Sequence, residues 1–239
     1  MSLSKNHLKL ITSLSQKKYR QKHKLFVVEG IKVVEEFLNS DYELELLFST
    51  EDNYTNLESF ISVTEVELKK ISNLKTPNKV VAIFKIPEIK SINNSGLTVA
   101  LDTINDPGNL GTIIRLCDWF GVQQLICSTD TVDCYNTKVV QASMGSLTRV
   151  SITYINLQEY IEKVSIPTFI ADMDGNNVYK EELPKEAILV MGNEANGVSE
   201  RIKKTIRNKI SIPRFGNVQQ TESLNVATAT AILLSEFRR

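Results

Sequence analysis

The chain has 239 residues, 42% of them hydrophobic and 23% charged, and a formal net charge of zero at pH 7. Such a composition is ordinary for a soluble globular protein and excludes a fibrous or wholly disordered chain. No apolar run approaches the ~20 residues that span a bilayer, and the leader MSLSKNHLKLITSLSQ has no apolar signal core, so neither export nor membrane insertion is expected and the expected compartment is the cytoplasm.

The leader carries Lys5, Lys9, Lys17, Lys18, Arg20, Lys22 and Lys24 with no acidic residue before Glu29, whereas Asp41 to Glu67 holds eight acids and no Lys or Arg. The asymmetry fits a local anion-binding face, with Lys17, Lys18 and Arg20 in its most crowded stretch. A merely solvated basic helix is the alternative. His7 and His23 also lie in this leader without ligand-spaced partners, so no metal site is expected.

After the leader, LFVVEG (25–30) reads as a short buried strand closed by glycine, and IKVVEEFLNS follows at helical spacing. LELLFS (44–49), FISVT (60–64) and VVAIFK (80–85) are strand candidates, with EVELKKIS a helix between the last two. The aperiodic stretch IPEIKSINNSG (86–96) ends this small α/β unit. It divides the chain into domains 1–92 and 93–239.

Beyond it, β-type runs alternate with helical patterns: LTVALD, a helix from Thr112, QLICST, a helix around TKVVQASMG, RVSITY, LQEYIEKV, TFIADM, AILVMG, ERIKKTI, KISIP and a long last helix. That alternation predicts a mostly parallel sheet covered by helices, with ligands at the carboxyl ends of the strands. Cys117, Cys127 and Cys134 are irregularly spaced, form no C-x-x-C, and are expected in the core.

Three strand-end loops stand out. LDTINDPGNLG (101–111) holds Asn109, with Pro107-Gly108 expected in a tight turn and Arg115 on the first turn of the following helix. VMGNEANGVSE (190–200) holds Gly192, Glu194 and Gly197, with Ser199 expected to cap the next helix. SIPRFGNVQQTESLNVATATAILLSE (211–236) ends a strand at Ile212-Pro213 and enters the last helix through Ser223, Leu224 and Asn225. Each loop alone is compatible with turn and capping chemistry. Together they place Asn109, Arg115, Glu194, Ser223 and Asn225 on one sheet edge, with hydrogen-bonding groups and an anion binder but no nucleophile–base pair. The last helix is apolar on two sides, which predicts burial under a loop or against a second copy.

In order and spacing, DTINDPGNLGTIIR, LVMGNEANGVS and ISIPRFGNVQQTESLNVATATAILL resemble the three signature motifs of the SpoU/TrmH family of the SPOUT class, RNA 2'-O-ribose methyltransferases that use S-adenosylmethionine. LSQKKYRQKHKLFVVEG resembles the N-terminal RNA-binding domain of ribosomal RNA members, which makes Lys17, Lys18 and Arg20 the candidate RNA contacts. The resemblance implies a C-terminal SPOUT domain with a deep trefoil knot, preceded by a small α/β RNA-binding domain, and a homodimer formed through the C-terminal domain. It also implies a cofactor held by backbone at Gly192, Ile212 and Leu224, and catalytic roles for Arg115, Asn109, Glu194, Ser223 and Asn225. The domain layout favours 23S ribosomal RNA over transfer RNA as substrate. The third motif departs from the family pattern in Arg214, where Met is usual, and in a longer loop. The intact motif residues argue against a catalytically inactive RNA-binding relative. The absence of G-x-G-x-x-G after an early strand argues against a dinucleotide-binding oxidoreductase or a Rossmann-type methyltransferase.

Overall fold

A computed structural model describes residues 3–88, 91–93, 95–193, 195–217 and 223–239. By contacts the chain forms two units, residues 1–88 with 133–148, and residues 89–132 with 149–239.

In the first unit, α1 (Lys5–Ser13) opens with a capping box in which Ser4 Oγ accepts from His7 N at 3.1 Å. α2 (Lys17–His23) stops at Lys24, whose φ of 54° is left-handed. β1 (Leu25–Glu29), α3 (Ile31–Leu38), β2 (Leu44–Ser49), β3 (Phe60–Ser62), α4 (Glu65–Ile71) and β4 (Val80–Lys85) follow. The sheet order is β1-β4-β2-β3, with β4 antiparallel to both β1 and β2 and β3 parallel to β2. β1 is buried along its whole length, as the apolar run Leu25 to Val28 requires, and the burial extends to the carboxylate of Glu29 at its end.

The second unit begins with β5 (Leu97–Leu101), α5 (Pro107–Trp119) and β6 (Gln124–Ser128). α5 starts at Pro107, five residues before the expected Thr112. Asp106 is the N-cap and accepts from Asn109 N at 2.8 Å, while Pro107 takes the first helical position, where no N–H is needed. The expected Pro-Gly turn is therefore the first turn of the helix, and Arg115 lies in its third.

The chain then passes through 133–148, with α6 (Thr137–Ser143) packed on β1 in the first unit. A single division at Asn93 assigns this segment to the second domain, whereas its contacts are with the first. Val139 and Val140 are buried there, and the Tyr135 ring packs against Phe26 with centroids 4.6 Å apart and planes tilted by 43°. Asp133 receives Arg20 Nε at 2.8 Å and Nη2 at 2.6 Å, and Arg20 Nη1 donates to the carbonyls of Leu14 and Ser15. Arg20 is 2% exposed, which corrects its assignment as an RNA contact. All of its donor nitrogens are committed inside the unit. Lys17, Lys18, Lys22 and Lys24 are exposed.

β7 (Ser151–Ile155), α7 (Leu157–Lys163), β8 (Thr168–Asn177), β9 (Ala187–Met191), α8 (Glu200–Thr205), β10 (Asn208–Ser211) and α9 (Val226–Arg238) complete the second unit. The six strands are parallel in the order β10-β8-β9-β5-β6-β7. The central strands β5, β6 and β9 are buried at every position. β8 and β10 break register: Lys209 pairs with Ile170, but Ile210 pairs with Asn176. Gly175 is needed there, because a Cβ would stand 2.6 Å from the Ile210 backbone. Cys117, Cys127 and Cys134 are all buried and unbridged. Among the described residues no helix is long and apolar enough to cross a membrane, and no cluster of His, Cys, Asp or Glu could hold a metal.

Candidate active site

Because the sheet is parallel, the loops after β5, β9 and β10 leave from one edge. The chain runs outward from β5 to β6 on one side while β9 lies on the other, which makes the β5–β9 pair the switch point where such sheets bind ligands.

The loop after β5 is pinned from three sides. Asp102, 5% exposed, accepts from Ser199 N at 2.7 Å and from Thr103 Oγ1 at 3.2 Å. Thr103 adopts a left-handed φ of 59°, donates its N–H to Ser128 Oγ at 2.9 Å, and accepts from Asn193 Nδ2 at 2.9 Å through its carbonyl. Ser199 is the N-cap of α8 but makes no capping bond with its side chain. Its backbone N–H goes to Asp102, so the first two motifs are tied to each other. Sequence reasoning missed Asp102, Thr103, Asn193 and Ser128, since nothing in their spacing marks them as partners.

The loop after β9 folds into a tight reversal in which Asn193 and Gly197 exchange both backbone bonds, at 3.0 and 2.8 Å. A Cβ at Gly192 would fall 2.1 Å from Gly197 C and Val198 N, so only glycine permits that approach. Glu194 lies outside the described residues.

The first and third motifs meet through two amides. Asn225 caps α9, its Oδ1 accepting from Ala227 N at 3.0 Å and Thr228 N at 3.2 Å, and its Nδ2 donates to Asn109 Oδ1 at 2.9 Å. The cap fixes which end of the Asn225 amide faces Asn109. Ser223 is exposed, and Leu224 is 47% exposed. Arg115 is exposed and makes no hydrogen bond or ion pair among the described residues. At about 100° per residue it sits about 120° around α5 from Asn109, on the outward stripe with Thr112 and Trp119. Asn109 and Asn225 are thus brought together, while Arg115 points elsewhere.

Gly192 and Ile212 are half-buried, and among the described residues their backbone groups make no hydrogen bond; the same holds for Leu224. Half-buried, open backbone donors and acceptors on a ligand-binding edge suit the adenosine and amino-acid groups of S-adenosylmethionine.

Comparison with known proteins agrees with this architecture. The SpoU rRNA Methylase family model matches residues 96–235, and an MRM3-like substrate binding domain matches residues 5–82. The chain is 29% identical over 235 residues to the 23S rRNA (guanosine(2553)-2'-O)-methyltransferase RlmP of Bacillus subtilis, covering 94% of this chain and 93% of the relative. A solved TrmH-family structure from Porphyromonas gingivalis superposes with a TM-score of 0.91 at 38% identity, covering 100% of this chain and 99% of that one. An AdoMet-bound rRNA methyltransferase from Sinorhizobium meliloti superposes with a TM-score of 0.87 at 29% identity, covering 100% and 96%. The fold and the joined motif loops are those of an RNA methyltransferase. The chain belongs to the SpoU rRNA methylase family.

Proposed function

We propose that the protein transfers a methyl group from S-adenosylmethionine to a ribose 2'-hydroxyl of 23S ribosomal RNA in the cytoplasm, as a homodimer formed through its second unit. The observation that carries this reading is the Asn225–Asn109 bond of 2.9 Å, which joins the first and third motifs on the edge where Gly192 and Ile212 leave backbone groups open. The relative matched over 94% of the chain is named for 23S rRNA, which makes that RNA the first substrate to test.

S-adenosylmethionine supplies an electrophilic methyl group on a sulfonium centre; as the 2'-oxygen takes the methyl, the S–CH3 bond breaks to leave S-adenosylhomocysteine and the hydroxyl proton passes to water. The backbone of Gly192, Ile212 and Leu224 holds the cofactor, within loops that thread as a trefoil knot. Asn109 and Asn225 orient the ribose, so that the acceptor oxygen is aligned before it reacts. A guanidinium stays protonated at neutral pH and is a poor base, so Arg115, which faces away from Asn109 of its own chain, binds the phosphate and the developing alkoxide of the RNA held by the second copy in the dimer. Ser223 orients Arg115 or the ribose, and Glu194 keeps the pocket-loop role that the second motif implies. The exposed Lys17 and Lys18, joined by Lys22, grip RNA phosphates from the first unit.

Incubation with methyl-labelled S-adenosylmethionine and unmodified 23S rRNA or transfer RNA, followed by digestion to nucleosides, tests the reading. Label is expected in a 2'-O-methylnucleoside from 23S rRNA. Label in a methylated base, or only in transfer RNA, contradicts it.

A further inference from the structure

We propose that the first unit carries a nucleobase pocket built on Glu29 and selective for guanine. The inference rests on the reading that this unit binds RNA, and it names the part of the RNA that is read.

A cavity of about 250 Å³ opens beside β1. That is just below the ~300–1,000 Å³ of pockets for drug-sized ligands, a size suited to a single base. Val27, Leu74 and Ala142 give it an apolar wall, Glu29, Asn73 and Gln141 a polar one, and Lys138 is exposed at its edge.

Glu29 is the unusual member. It is 5% exposed, yet it makes no ion pair among the described residues. Its carboxylate is held by neutral donors alone: Ser72 Oγ at 2.5 Å, Asn73 N at 2.9 Å and Asn73 Nδ2 at 3.0 Å. A buried carboxylate without a cation is costly, and further donors from a ligand would relieve it. Because Asn73 commits its Nδ2 to Glu29, Oδ1 remains as a second acceptor, and the polar wall is rich in acceptors.

A ligand for this pocket needs a flat apolar face, adjacent N–H donors and a nearby negative charge for Lys138. Unstacked RNA bases are read in this way, through their faces and their Watson–Crick edges. Guanine places N1–H and N2–H₂ side by side, matching a carboxylate. Uracil offers one N–H between two carbonyls, which the carboxylate would repel, and adenine and cytosine each set a single amino group beside an acceptor.

Fluorescence anisotropy with the full chain and the labelled pentanucleotides r(UUGUU) and r(UUUUU) tests the pocket. The guanine oligonucleotide is expected to bind about tenfold more tightly, the scale of one bidentate base contact. Ala142→Phe, which fills the cavity, and Glu29→Gln, which replaces an acceptor by a donor, should each bring the ratio near one without changing r(UUUUU) or S-adenosylmethionine affinity. Circular dichroism melting checks each fold, and Glu29→Gln decides if Ala142→Phe unfolds. Equal affinities in the unaltered protein, or a preference that survives substitution in a folded variant, overturn the proposal. Joint Lys17→Ala, Lys18→Ala and Lys22→Ala substitution tests the RNA grip separately: it should weaken both oligonucleotides equally. If it has no effect, that grip is wrong, while the guanine ratio still judges the pocket.

Discussion

A single amide, that of Asn225, caps α9 with its oxygen and fixes Asn109 with its nitrogen. Asn225→Ala should cost about 1 kcal/mol of stability, the usual worth of an N-cap. Its effect on methyl transfer should be much larger, because Asn109 loses the contact that orients it; urea denaturation beside single-turnover kinetics compares the two. Arg115→Ala should lower transfer by orders of magnitude and leave S-adenosylmethionine affinity, read by calorimetry, unchanged, since the cofactor is assigned to backbone in other loops. An equal loss of both would place Arg115 in the cofactor site. Asn109 and Asn225 were legible in the sequence because glycines and amides at strand ends are chemically conspicuous. Arg20 was misread because its burial depends on Asp133, 113 residues away, and charge clustering in a leader says nothing of such a partner. The Asp102–Ser199 and Thr103–Asn193 links were hidden for the same reason, each joining loops about 90 residues or more apart.

Among the helices and strands, nearly all were legible from periodicity, and the misplacements have local causes. α5 starts early because Asp106 and Pro107 form a cap, a signal that the Pro-Gly turn pattern obscured. α6 reads as an ordinary α/β helix; that it packs in the first unit is set by which apolar surface its two valines meet, information that lies in β1. The segment carrying α6 also brings in Tyr135, whose hydroxyl bonds to Tyr42. Burial pushes the Tyr42 phenol up to about 12, partly offset by the bond from Tyr135, and burial raises Tyr135 as well. A folded-state pKa above the unfolded value of about 10 stabilises the fold fully below pH 10, and this contribution is lost as pH rises from about 10 towards 12. Melting temperature should therefore fall over that range, and fall less in Tyr42→Phe; phenolate absorbance should show the two groups ionising only with unfolding. Ionisation of both phenols at about pH 10 in a folded protein would contradict the packing of 133–148.

For the molecule as a whole, alternation of strand and helix announced a parallel sheet, but strand order and threading depend on contacts that periodicity does not encode. Trp119 is 84% exposed on the same α5 stripe as Arg115, and Ala231 and Ile232 of the neighbouring α9 are only half-buried. A tryptophan so placed fits the centre of an interface. Trp119→Ala should shift the protein from dimer to monomer by light scattering, and it should reduce methyl transfer, since a partner covering that stripe would meet Arg115. A wild-type protein that is monomeric at micromolar concentration would refute the dimer. What the protein does in the cell is best judged by mapping ribose methylation in ribosomal and transfer RNA from cells with and without the gene. One 2'-O-methyl group should disappear from 23S rRNA and return with the unaltered gene but not with Arg115→Ala; an unchanged ribose-methylation map in 23S rRNA would refute methyl transfer to that RNA.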